Sequence, residues 1–256
     1  MRCTALHRTP SGSLMPVVPV ISPGDWSRLR SPVGLSKAVA ALLVAGMLVD
    51  LVSIVAGQRL RSALADDEAR GLPAYYSGDS ADADMLYTGV SSVQALALLA
   101  TAVVFIVWFR RVRLNAGVFD ESLQPMKPGW AIGSWFVPIA NLWLPFRVAR
   151  GVWEASARFD ADGNWGTETR GTLNRWWAGW IATIALSRVA SQVYEQTDTV
   201  AGIRGATALY MAADLVNILA AVLAILFVRQ LTRLQGERAT LGPHPHAPQA
   251  TPTPLA

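Results

Sequence analysis

Four apolar runs, at residues 35–57, 86–109, 173–194 and 205–228, leave this chain few ways to fold. At about 1.5 Å per residue each is long enough to cross roughly 30 Å of hydrocarbon as an α-helix. The first, LSKAVAALLVAGMLVDLVSIVAG, carries a single ionisable group beyond Lys37, namely Asp50. Composition points the same way, because only 16% of the 256 residues are charged and 52% are apolar, against about 25% charged in soluble domains. The reading is an all-α integral membrane bundle.

A fifth stretch, residues 128–158, reads PGWAIGSWFVPIANLWLPFRVARGVWEASAR and is apolar enough to compete as a span. Charge decides against it. If it crossed, Arg147, Arg150, Arg158, Arg170 and Arg175 would face the opposite side from Arg110, Arg111 and Arg113, and positive residues gather on the cytoplasmic side. If it does not cross, residues 110–175 form one cytoplasmic segment, while the loops at 58–85 and 195–204, both net acidic, lie outside. The expected architecture is therefore four transmembrane helices plus a non-crossing segment at 129–158. Its first part is re-entrant or interfacial, and its second is an amphipathic helix on the cytoplasmic face. Residues 1–34 and 234–256, rich in Pro, read as disordered tails around a membrane domain at 35–233. Both termini are expected in the cytoplasm.

Four polar groups interrupt the spans. Asp50, Gln94, Arg188 and Asp214 each fall about 6 to 8 residues from the outer end of their run, roughly 9–12 Å deep. Ionisable groups at that depth need partners. One reading has Arg188 neutralise an aspartate and fix helix register; the other has the layer, with one acid in excess, take up a proton or bind a cation.

Within the non-crossing segment, Pro138 and Pro145 lack the N–H that a helix would use, which frees acceptors near Asn141. Trp135, Ile139, Leu142, Phe146, Ala149 and Trp153 recur at helical spacing and read as one apolar face. Arg147, Arg150, Glu154 and Arg158 lie opposite, the last three at spacings of four that allow ion pairs. This face is a candidate docking platform for anionic lipid head groups or a protein partner.

Other chemistry is excluded by what is missing. The sole cysteine is Cys3 and the three histidines are His7, His244 and His246, all in the tails, so thiol catalysis, His-ligated haem and His/Cys zinc sites have no residues in the spans. No metal, cofactor or catalytic set is indicated, and no basic patch sits on a nucleic-acid module. Cys3 is not preceded by an apolar run, so no cleaved signal peptide is expected. Asp160, Asp162 and Asn164 resemble a calcium loop, but Trp165 occupies the position of its glycine. They are read as a turn.

The residues PGWAIGSWFVPIANLWLPFRVARGVWEAS, followed by RWWAGW, resemble the bacterial, mainly actinobacterial, membrane family known as domain of unknown function 4328. The matching positions are Pro128, Trp130, the core 136–145, Trp153 and Ser156, within a resemblance covering roughly 35–233. It implies a multi-pass protein of the bacterial inner membrane and supplies no catalytic residues. The leading expectation for function is a structural or interaction module using the cytoplasmic platform. The alternative is a small transporter or channel using the buried polar layer.

Overall fold

Small residues on two long helices decide how the chain is laid out. The computed structural model describes residues 23–75, 77–157 and 170–241, and among these every regular element is helical. A short 3-10 turn, Pro23–Arg28, precedes α1 (Val33–Ala69) and α2 (Gly78–Phe119). Then come α3 (Trp130–Gly133), a second 3-10 turn at Ala140–Leu142, α4 (Leu144–Ser156), α5 (Gly171–Glu195) and α6 (Val200–Leu241). On α6 the fully or nearly buried positions include Ala206, Ala213, Ala221 and Ala224. On α5 a Cβ at Gly179 would stand 3.3 Å from the Cα of Ala220, a close approach typical of helices that associate in lipid.

α6 packs on α1 along one side and on α5 along the other, and α1 packs in turn on α2. No comparable packing joins α2 to α5. The long helices thus form a curved row, α2–α1–α6–α5, and not a closed ring. α1, α2 and α6 are long and apolar enough to cross a membrane. α5 is shorter, at 25 residues, and less apolar.

The helices outrun the apolar runs that announce them. α1 has 37 residues and α2 and α6 have 42 each, about 55–63 Å at the α-helical rise. Residues 58–69 and 78–85, expected as loop, are helical; of the described residues between them, 70–75 and 77 are not. The reason is a second small core, in which Leu60 and Leu64 at helical spacing bury against Ile203, Tyr75 and Tyr87. Gly71, at φ 71°, ends α1 in the left-handed conformation that glycine adopts cheaply. The Ser77 hydroxyl then accepts from the Ser80 amide at 3.2 Å and starts α2. Glu68 and Arg204, 2.6 Å apart, tie this turn end to the start of α6.

At the other end, the α4 end, the expected tail boundaries shift outward. α6 continues to Leu241 with Leu234 and Gln235 buried, and Trp26 packs on Phe119 at 5.8 Å. Phe227 of α6 stacks on Trp176 at 4.2 Å and on Trp153 of α4 at 6.2 Å. Trp135 lies edge-on to Phe105 and Phe109 of α2 and to Trp180 of α5, at 5.6, 5.9 and 5.6 Å. Edge-on and stacked pairs of this kind add about 0.5–1.5 kcal/mol each beyond area burial.

The single apolar face expected along 135–153 is split. Ile139 sits at φ 63° in a γ-turn closed by the Ala140 amide on the Pro138 carbonyl at 2.6 Å, a conformation costly for a β-branched residue. The helical repeat is lost there, so Phe136 and Ile139 point outward, 70% and 73% exposed, while Trp153 is buried.

Gly151 marks the tightest approach of α4 to the loop before α3: a Cβ there would meet Pro125 Cδ at 2.6 Å and the Leu123 carbonyl oxygen at 2.8 Å. Gly151→Ala is expected to cost about 1–3 kcal/mol by overpacking. Gly236→Ala, whose Cβ meets nothing within 4 Å, is expected to stabilise by about 0.5–1 kcal/mol. Thermal unfolding in detergent separates the two.

Candidate functional site

Three helices bring two carboxylates to one amide nitrogen. Gln94 Nε2, on α2, donates to Asp50 Oδ1 of α1 and to Asp214 Oδ1 of α6, both at 3.0 Å. The two oxygens therefore lie within about 6 Å of each other, the sum of the two bonds, 3.0 and 3.0 Å. Asn217 Nδ2 donates to the second oxygen of Asp50 at 2.7 Å. Spacing explains the convergence: Asp214 and Asn217 are three apart on α6, as Asp50 and Ser53 are on α1, and residues three apart share a helix face. Asp50 and Ser53 are 3% and 1% exposed. The second Asp214 oxygen is buried and has no hydrogen-bond donor.

Arg188 does not join them. It is exposed on α5, and neither aspartate forms an ion pair within 4.0 Å with any described residue. The group thus holds two acids, two carboxamides and the Ser53 hydroxyl, with no cation among the described residues. Two unit charges about 6 Å apart repel by roughly 3 kcal/mol at an effective dielectric of 20. A proton held by one carboxyl, or a small cation between them, removes that repulsion. Among the described residues no three His, Cys, Asp or Glu side chains cluster as a metal site. An acid pair of this kind can take a proton or a small cation.

The motif residues of 135–154 lie at the α4 end, apart from this cluster. Trp135, Pro145 and Trp153 are turned into the protein, with Pro145 in the first turn of α4. Pro138, Arg147 and Arg150 are exposed, and Asn141 is half-buried with its amide on the Val137 carbonyl at 3.0 Å. Glu154 accepts from Arg150 at 2.9 Å, as its spacing suggests, and from Arg170 at 2.7 Å. Arg158 and the residues Asp160, Asp162 and Asn164 lie outside the described residues.

Two features escaped sequence reasoning. Asn217 was legible as the amide three residues beyond Asp214. The other is a buried network in which Gln235 Oε1 accepts from Asn115 at 3.0 Å, while Gln235 Nε2 donates to the Val112 carbonyl at 2.8 Å and to Ser156 at 3.2 Å. Nothing in the local pattern at 235 signals it, because that position reads as tail.

The family model described as Domain of unknown function (DUF4328) matches residues 73–233, well over half of the chain. The match contains α2 to α5 and most of α6, hence Gln94, Asp214, Asn217 and all the motif residues. No curated protein and no solved structure matches the chain.

Double-mutant cycles on unfolding free energy test the cluster. Gln94→Leu and Asp50→Asn are expected to couple by about 0.5–1.5 kcal/mol, as bonded neighbours in a membrane bundle do. Arg188→Gln and Asp50→Asn are expected to add within about 0.5 kcal/mol.

Proposed function

The chain belongs to the DUF4328 family, and from its acid pair we propose that it is a small transporter or channel that takes up a proton or monovalent cation within the membrane. One observation carries this reading. Asp50 and Asp214 meet on the same Gln94 nitrogen with no cation paired to either, and an uncompensated acid pair inside a bundle costs stability that a purely structural role leaves unexplained.

The topology that fits is four spans, α5 being the fourth, in a bacterial inner membrane with both termini in the cytoplasm. Support comes from charge: Arg110, Arg147, Arg150, Arg229 and Arg233 are exposed at the α4 end, and positive residues favour the cytoplasmic side. On this reading residues 129–145 form the re-entrant or interfacial element and α4 lies at the cytoplasmic face.

A second reading, the docking platform, keeps one observation in its favour. Arg147 and Arg150 are exposed beside the outward-facing Phe136, Ile139, Leu142 and Trp143, a combination suited to anionic lipid head groups or a protein partner. It ranks second because Trp135 and Trp153 are already engaged in packing, which leaves a smaller free face than the sequence suggests.

Flux in proteoliposomes decides between them. Proton or monovalent-cation flux is expected with the unaltered chain and is expected to vanish in both Asp214→Asn and Asp50→Asn, while Arg147→Gln with Arg150→Gln leaves it intact. Absence of flux, or flux that survives both aspartate substitutions, removes the transport reading.

A further inference from the structure

The acid pair is sealed on one flank and open on the other. Asp50 and Ser53 of α1 are almost wholly buried, whereas Gln94, Asp214 and Asn217 are only part-buried. The open flank lies on the side of the space between α2 and α5, the two helices that end the row and meet only through rings at the α4 end, Phe105 on Trp176 at 5.9 Å.

Helix geometry says what lines that gap. Gln94 and Phe105 are eleven residues apart on α2, 105 minus 94, which is close to three turns of 3.6 residues, so they face the same way. Phe105 points across the gap, meeting Trp135 at 5.6 Å and Trp176 of α5 at 5.9 Å. On α5, Trp177 and Arg188 have the same separation, 188 minus 177, and Trp177 meets Trp135 at 6.3 Å. Gln94 and Arg188 therefore stand on the two walls of one groove, about 16 Å beyond the rings around Trp135. Toward the α4 end, Trp135 is wedged between Phe105 and Phe109 on one side and Trp177 and Trp180 on the other.

We propose that this groove is the path by which the ion reaches Asp50 and Asp214 from the turn end of the bundle, and that Trp135 is the plug that shuts it at the α4 end. The proposal rests on the acid pair being the ion site. Polar walls make the groove wet: Gln94, Asp214, Asn217 and Arg188 hold water where an apolar groove would fill with lipid chains. The same water solves a second problem, because an exposed guanidinium on a membrane helix needs hydration or a partner.

Thiol accessibility tests the path without relying on transport. With Cys3→Ser as background, Ile184→Cys places a thiol on the flank that carries Trp177 and Arg188, since 184 minus 177 is seven. In proteoliposomes of known orientation, a membrane-impermeant methanethiosulfonate is expected to label it from the turn side and to give no labelling from the α4 side. Adding Trp135→Ala is expected to create labelling from the α4 side. The groove is overturned by no labelling from either side, or by α4-side labelling with Trp135 intact. The plug is overturned if Trp135→Ala leaves the α4 side closed. If that variant does not fold, the sidedness measured with Trp135 intact decides. One-sided labelling without aspartate-dependent flux retires the acid pair and keeps the groove; flux without labelling does the reverse.

Discussion

Backbone that leaves the helical ladder must find partners for its polar groups elsewhere, and much of this structure follows from how residues 128–143 are held. Pro138 and Pro145 forbid a continuous helix, and the γ-turn at Ile139 throws the chain outward. Trp135, just before the turn, is what pins the segment to the bundle. Its ring needs partners on both sides, supplied by Phe105 and Phe109 from α2 and by Trp177 and Trp180 from α5. A side chain of that size between two helices keeps them apart. The row therefore does not close into a ring, and the polar cluster beyond it keeps an open side.

Two polar groups in the same protein illustrate how charge separates scaffolding from chemistry. At the α4 end, Gln235 accepts from Asn115 and donates to Ser156 and to the Val112 carbonyl. Every bond there joins neutral partners, so the network fixes the relative positions of α2, α4 and α6 with little electrostatic cost. Gln94 and Asn217 instead spend their donors on two acids. Neutral amides soften the repulsion between carboxylates without cancelling it, so the pair keeps an uncompensated charge unless one carboxyl is protonated.

That the chain is helical, with long apolar helices, was legible because hydrophobic run length is a direct consequence of the bilayer. Asp50, Gln94 and Asp214 were legible by depth, since polar groups in hydrocarbon seek one another. Depth says nothing about distance across the bundle, and that is why Arg188 was grouped with them: it shares their level but stands on α5, across the open side, and pairs with neither aspartate. Ile139 and Leu142 misled for a related reason. A face drawn at helical spacing is meaningful only while the helix lasts, and two prolines within eight residues, 138 and 145, meant that it did not. The extensions at 58–69 and 234–241 were hidden because hydropathy reports where lipid is, whereas a helix ends where its own caps and packing end.

The seam between α5 and α6 has a mechanical meaning. Gly179 meets Ala220 almost backbone to backbone, and Ala190 is fully buried along the same helix. Surfaces built from such short side chains let the two backbones approach closely, and larger side chains then interlock around them, Leu223 against Gly179 and Phe227 against Trp176. α1, α2 and α6 are clamped at the turn end by the Glu68–Arg204 pair and the small core below it. α5 is held to α6 by rings at both ends, Trp176 on Phe227 at 4.2 Å and Tyr194 on Tyr210 at 6.3 Å, so this seam fixes where α5 stands and with it the width of the bundle's open side.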